Sequence, residues 1–544
     1  MTAQRVAAEF YNRSLGGWAR PIGLGAVCLV TYLVFRTLTI EISKQQFVSP
    51  FWWVLILFLF GVVARKATFD RMWAPVTVLV RGILVMVAFQ IGCEAFGAVY
   101  GAPNFFFDEG GDLLFFRYGA LLALIASLFI WWRPSFAPCV LAHYVMFRHR
   151  FSANAQIPIV ETDYLSMLDI GMFLALAYFV VEGMSSSRAN GATSGPAAKD
   201  RGTIDLPAWQ LIWGTAVGAH LGNYFWSGIS KLRAGDWTLA WAFENPTRTA
   251  ILIGLERGDN PFGATPQLLQ LVWDAITLLT PILNPVVLGF QVLVLFACVS
   301  RKSLLTFTVF FDLFHVAVYF TLGAIFQFWV LVNALIFASV MKMRKEDFNF
   351  AIQVPMAIFT VAGVALFYTS FLGWMDGAKL AAPNVYAETR KGERVLVPAV
   401  FYGLFSYSLN QTKSYIPDNH FKMRVGGNTH NMAEFREAQA CGPEVIPHQD
   451  TKVSKEAIVS LVQGADTFMR NHPQVKEHNL YYIYPHHMLA NPWMFPSFNR
   501  LKMDDIVRYY YVVDSVCLSL ENGRLKRDVK KRWAMPIEPT RASM

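Results

Sequence analysis

The 544-residue chain is 54% hydrophobic and 15% aromatic but only 16% charged, whereas soluble domains carry nearer a quarter charged residues. Its formal net charge of +9 does not mark a nucleic-acid binder, because the basic residues sit in short loops between apolar runs, where membrane topology wants them. Met1 to Arg20 is too polar for the apolar core of a cleavable signal peptide.

The composition predicts an all-α polytopic membrane bundle of about 9–11 spans over residues 1–375, followed by an exoplasmic α+β domain over 380–544. Expected spans are 21–40, 50–64, 74–99, 113–132, 134–147, 164–184, 207–232, 266–299 (interrupted at Pro281 and Pro285), 303–322, 325–341 and 351–373. A glycine-rich acidic loop lies at 101–112 and a Ser/Gly/Ala-rich, solvent-exposed linker at 185–205. Residues 233–265 hold amphipathic pieces suited to an interface. The clusters Arg65-Lys66, Arg133, Arg188 with Lys199 and Arg201, Arg301-Lys302 and Lys342–Lys345 all fall on the cytoplasmic side if the N-terminus is cytoplasmic. With an odd number of spans the tail is then exoplasmic. Arg148-His149-Arg150 is the basic misfit, which implies either a functional role or a re-entrant 134–147.

The tail changes character. Ala457, Ile458, Leu461, Val462, Ala465, Phe468 and Met469 share one helix face, and Val507–Leu520 is a strand with a turn at Asn522-Gly523. The short apolar run Val395–Leu409 is expected to pack the tail against the membrane part. Cys441 and Cys517 either bridge in an oxidising compartment or stay as two thiols. The tail's seven histidines (His420, His430, His448, His472, His478, His486, His487) have no metal-ligand spacing on one element, and no metal site is expected.

Two polar rows interrupt the apolar runs. His220, Tyr224, Ser227 and Lys231 follow i, i+4, i+7, i+11 and stay within roughly 60° on a helix. Ionisable groups at such depth are costly and usually serve a pathway, a partner or a reaction, although a lysine near a helix end can also snorkel to the headgroups. Thr308, Asp312, His315 and Tyr319 repeat the spacing. An aspartate one turn from a histidine suits a proton-relay pair, the carboxylate fixing the imidazole tautomer, or a buried tie between two helices. The two rows are expected to face one shared pocket.

The stretch Tyr224-Phe-x-x-Gly228-Ile-x-Lys231-Leu, followed by Asp236-Trp237, resembles the lysine-bearing helix of the vitamin K-dependent γ-glutamyl carboxylases. It also resembles the wider HTTM (horizontally transferred transmembrane domain) family. His315 with Gly323-x-x-Phe326-x-x-Trp329 is similar to the family's second signature helix. The similarity covers roughly residues 15–375. It implies a reduced, vitamin K hydroquinone-like quinone and O2 as reactants, with CO2 where carboxylation follows. It implies Lys231 as the base that deprotonates the quinol, oxygen then converting the quinol to an epoxide through a strongly basic alkoxide. Catalytic roles are expected for Lys231, His315 and Asp312, and pocket roles for His220, Tyr224, Ser227, Tyr319 and Trp329. Buried among apolar groups, a lysine amine can exist uncharged and act as a base. One departure stands out: Thr162, in Glu161-Thr-Asp-Tyr-Leu165, occupies the place of the family's histidine, which puts carboxylation in doubt. Partners expected are the bilayer, a lipidic quinone and a protein or peptide substrate at the C-terminal domain. The alternatives are a non-catalytic membrane protein binding a lipid or quinone and a protein partner, and a transporter, for which no internal repeat is found.

Overall fold

The structure, a computed structural model, describes residues 3–45, 49–64, 67–99, 114–154, 157, 162–191, 205–373, 375–405, 409, 414–417, 428–439, 441, 453–483 and 490–539. The chain is mostly helical and ends in a small antiparallel sheet. The helices are α1 (Ala3–Lys44), α2 (Ser49–Val63), α3 (Ala74–Val99), α4 (Ala120–Phe129), α5 (Ala137–Asn154), α6 (Thr162–Gly191), α7 (Leu206–Ala234), α8 (Ala240–Glu244), α9 (Thr249–Arg257), α10 (Pro266–Val292), α11 (Arg301–Leu322), α12 (Gln327–Met341) and α13 (Phe350–Ala362). Among the described residues, five helical stretches are long and apolar enough to cross a membrane: Ala19–Lys44, Ala74–Cys93, Tyr164–Met184, Pro266–Cys298 and Arg301–Leu322.

Helix α7 is not one of those five, although 207–232 was expected to span. Proline in its first turn starts the helix and Gly235 caps its end. Its polar residues lower its hydropathy, and most of its length is buried inside the bundle. Gly214, Gly218 and Gly222 form a ridge without side chains. A Cβ at Gly214 would sit 2.6 Å from the Ile352 carbonyl oxygen, and one at Gly218 would sit 2.4 Å from that of Met356. Small residues four apart let α13 lie directly on α7. Gly218→Val is expected to push the two helices apart, lowering stability by about 1–3 kcal/mol or more. An unchanged unfolding temperature in detergent would refute it.

Two further expected spans take a different form, and the basic misfit finds a role. Pro281 and Pro285 lie inside an unbroken α10; being four apart, both missing N–H donors fall on one face, and the helix runs on. The last span was expected to reach residue 373, but the helix gives way at Gly363–Ala365 and residues 366–373 are non-helical, a turn at 366 and 367 followed by irregular backbone. The misfit Arg150 is buried and donates to the carbonyls of Ser43 (3.0 Å) and Gln45 (2.5 Å), tying down the end of α1. Of the expected 185–205 linker, α6 takes residues up to Gly191; 192–204 lie outside the described residues, as do the 101–112 loop and, among the tail's histidines, His420, His448, His486 and His487.

The C-terminal domain contains β1 (Met375–Asp376), β2 (Lys379–Thr389), β3 (Arg394–Leu396), β4 (Asn428–Thr429), α14 (Met432–Gln439), α15 (Lys455–Asn471), β5 (Ile506–Glu521) and β6 (Arg524–Ile537). The main sheet runs β3-β2-β5-β6, every neighbour antiparallel. Asn522 (φ 51°) and Gly523 (φ 70°) both take the left-handed conformation that a tight two-residue hairpin requires. Gly523 also lies against the backbone of Pro266, docking the hairpin on the start of α10. Strand β5 is buried through most of its length because both faces of the sheet are covered. Tyr509, Tyr511, Val513, Met535 and Ile537 share a core with Ile458, Leu461 and Val462 of α15. Leu380, Ala382, Val516 and Leu518 meet Leu252 and Ile253 of α9, Leu322, and Phe326 and Trp329 at the head of α12. The sheet itself therefore closes one end of the helical bundle. The run 395–409 was expected to do this; instead Phe401 packs its ring on Tyr481 and Phe498 within the tail. Cys441 and Cys517 form a disulfide.

Candidate functional site

The polar stripe of α7 divides between two clusters. His220 and Tyr224 enter a buried network with α11 and α12. His220 Nε2 lies 2.9 Å from Asn333 Oδ1, and Asn333 Nδ2 donates to Tyr224 Oη (2.9 Å) and to Asp312 Oδ1 (2.9 Å). Tyr224 Oη lies 3.2 Å from His315 Nε2. Four of the expected residues thus meet through a fifth, Asn333, which the sequence reading did not single out. A lone asparagine in the apolar helix Gln327–Met341 was the available signal, since such a group must find partners when buried.

Asp312 and His315 were expected to pair directly. Their side chains leave α11 on the same face, yet Asp312 bonds Asn333 and His315 bonds Tyr224. The cause is the neighbouring helices: α7 and α12 supply better-placed partners than the intrahelical geometry does. Tyr319 is half-buried and stacks beside Phe320; no bond from it to the network is present among the described residues. Trp329 is buried 5.5 Å from His315 and 5.9 Å from Tyr224 by ring centroids. Tyr224 stacks on Phe311 at 3.6 Å.

The turn between α11 and α12 shapes this cluster. Gly323 ends α11 with φ 80°, and Phe326 starts α12 with φ 45°. Positive φ is rare for a bulky side chain and costs on the order of 1–3 kcal/mol. Bonds from Arg257 to the Leu322 carbonyl (2.8 Å) and from Asn260 to that of Thr321 (3.1 Å) hold the turn in place. As a result the Phe326 ring lies 5.5 Å from His315 and stacks on Trp329 at 5.4 Å.

Ser227 and Lys231 face a different neighbour, the non-helical segment 366–373. Asp169 accepts the N–H of Tyr368 (2.7 Å), Asn223 that of Ser370 (2.9 Å) and Ser227 that of Leu372 (3.1 Å). Lys231 Nζ donates to the Leu372 carbonyl at 2.5 Å. The match is geometric: four residues of helix rise about 6 Å, close to the roughly 6.6 Å of two extended residues. Asn223, Ser227 and Lys231 therefore meet the segment rung by rung. Lys231 is 5% exposed, its amine 5.0 Å from the centre of the Trp241 ring. Among the described residues no carboxylate pairs with it, and Asp236, beyond the helix end with φ 53°, makes no ion pair with it. The two clusters adjoin at Leu372, whose carbonyl takes Lys231 while its side chain packs against the apolar core to which Phe326 and Trp329 belong.

Among the described residues no group of three or more His, Cys, Asp or Glu side chains could hold a metal ion. The side chain of Thr162 lies outside the described residues. No protein-family model, no curated protein and no solved structure matches the chain.

Proposed function

We propose that this chain is a multi-pass membrane protein with its N-terminus cytoplasmic and its C-terminal domain exoplasmic, and that it oxidises a quinol-like lipid in the manner of the carboxylase/HTTM proteins it resembles. Five long apolar helices support the first part. The Cys441–Cys517 disulfide agrees with an exoplasmic tail, since such bonds persist in oxidising compartments.

The observation that carries the catalytic part is Lys231: a buried amine held against an indole and a carbonyl, with no carboxylate partner among the described residues. A carboxylate would keep the proton on the amine; its absence from the contact shell leaves a base available. The neighbouring aromatic cluster offers a quinol oxygen two donors, because its buried His315 Nδ1 and Trp329 Nε1 have no hydrogen-bond partner among the described residues. When bound, the quinol would supply four electrons to O2 in all, two in passing to the quinone level and two at the carbons that become the epoxide, one oxygen atom entering the ring and the other leaving as water. Lys231 Nζ would accept a phenolic proton. The chemistry proposed stops at quinol oxidation, given threonine at position 162.

One observation favours a second reading. Lys231 donates to Leu372, so the amine can equally serve as a clamp in a protein that binds a lipid or quinone without turning it over. Lipid extracted from the purified full-length protein, analysed by mass spectrometry, is expected to contain a quinone. Reduced quinone added under oxygen should then be consumed faster than in protein-free vesicles. A bound quinone without consumption supports the binder; the absence of both bound quinone and consumption removes the support for the family-type proposal.

A further inference from the structure

The hydrogen-bond directions around Asn333 carry more than its position. The carboxylate of Asp312 can only accept, so the Asn333 amide must turn its NH2 group toward it. The second N–H of that group then points at Tyr224 Oη, and Asn333 Oδ1 is left to accept from His220 Nε2. Tyr224 Oη, already accepting from Asn333, has its own proton to give, and His315 Nε2 lies 3.2 Å away. A nitrogen that accepts a proton bond is bare, so a neutral His315 carries its hydrogen on Nδ1.

That Nδ1 is buried and has no hydrogen-bond partner among the described residues, and the same holds for the indole Nε1 of Trp329. The indole nitrogen is a donor only. Two buried donors with unmet bonds thus belong to two rings 5.5 Å apart, both in contact with Phe326, whose strained backbone holds it there. Buried donors left unpaired cost about 1–3 kcal/mol each, and the same cost becomes affinity when an acceptor arrives.

We propose that Asn333, acting through Tyr224, holds His315 as its Nδ1–H tautomer, and that this N–H and the indole N–H of Trp329 together receive an acceptor oxygen of an aromatic lipid headgroup. The inference rests on the quinol proposal for the class of ligand, and adds which atoms grip it and which residue sets them. A carbonyl or phenolate oxygen suits two donors; an amine or ammonium does not. Asn333 and Tyr224 are positioning residues here, and the donors are His315 and Trp329.

The test uses the full-length protein in nanodiscs and 2-methyl-1,4-naphthoquinone carrying 13C at both carbonyls. Isotope-edited infrared spectra are expected to show one carbonyl band moved to lower frequency on binding. Trp329→Phe, which removes the donor and keeps an aromatic ring, should return part of that shift and weaken binding roughly fivefold. Tyr224→Phe keeps the stack on Phe311 but frees the imidazole. 15N spectra of histidine-labelled protein, with the signal assigned by His315→Gln, should then change from the Nδ1–H form to a mixture. Both variants should unfold at the wild-type temperature to within a few degrees. A band at the free-probe frequency in the wild type, or one unmoved by Trp329→Phe, overturns the donor pair. A wild-type His315 carrying its hydrogen on Nε2 overturns the tautomer. A shifted band in a protein that consumes no hydroquinone leaves this site standing and ends the catalytic proposal; consumption with an unshifted band does the reverse.

Discussion

Lys231→Ala is expected to abolish oxygen-dependent consumption of a hydroquinone. The substitution removes the proposed base and also two structural contacts, the bond to the Leu372 carbonyl and the approach to the Trp241 ring. Loss of activity alone therefore does not separate base from clamp. Lys231→Arg does. A guanidinium can still donate to a carbonyl and lie over an indole, but it does not give up its proton at any pH the protein tolerates. Arginine is expected to fold and bind quinone while remaining as inactive as alanine. An arginine variant that turns over hydroquinone would remove Lys231 from the role of base and leave the binding protein as the surviving account.

The second large effect is expected on stability, at Asp514. This carboxylate is fully buried and accepts from Arg527 Nη2 (3.0 Å) and from Arg532 Nε (2.7 Å) and Nη2 (2.9 Å). Arg527 also pairs with Glu256 of α9 at 2.9 Å, and Glu256 accepts from Asn384 of β2 at 3.1 Å. Two acids and two arginines thus balance across the seam where the sheet meets the bundle. Asp514→Ala leaves two guanidinium groups to share Glu256. Breaking a buried pair from one side typically costs about 3–5 kcal/mol. Arg532 is half-exposed and can turn to water, which places the expectation toward the lower end. Proteolysis of the C-terminal domain at rising temperature should show it opening well before that of the wild type; identical midpoints would show that the charges contribute nothing net.

Much of the tail could be read directly. β-Branched and aromatic residues followed by Asn-Gly marked β5 and the turn after it, though not β6, and apolar spacing marked α15. Both are local patterns, and local patterns survive folding. The helix over 207–232 and the two polar rows were legible for the same reason. Partners across helices were not. Nothing in the spacing of Asp312 and His315 reveals that α7 and α12 outbid their mutual contact. Asn333 looked like a single polar residue in an apolar run, because its importance lies in three neighbours 21 to 113 residues away. The Gly214-x-x-x-Gly218-x-x-x-Gly222 spacing marks a smooth helix face, but only α13 lying upon it shows what that face is for. Residues 366–373 misled by composition. They are apolar enough to continue a helix, yet α7 offers side chains that take up their backbone N–H groups outside a helix instead.

That segment has a mechanical consequence. The chain leaves the helical bundle for the C-terminal domain through residues 366–373, so a pull on that domain travels along them. The segment runs beside α7 with its bonds to Asn223, Ser227 and Lys231 arranged across the line of force. Bonds set in this way are loaded in shear and share the strain, unlike a zipper that opens one tooth at a time. Lys231 stands at the loaded end, nearest the domain, and would be the first to feel the tug.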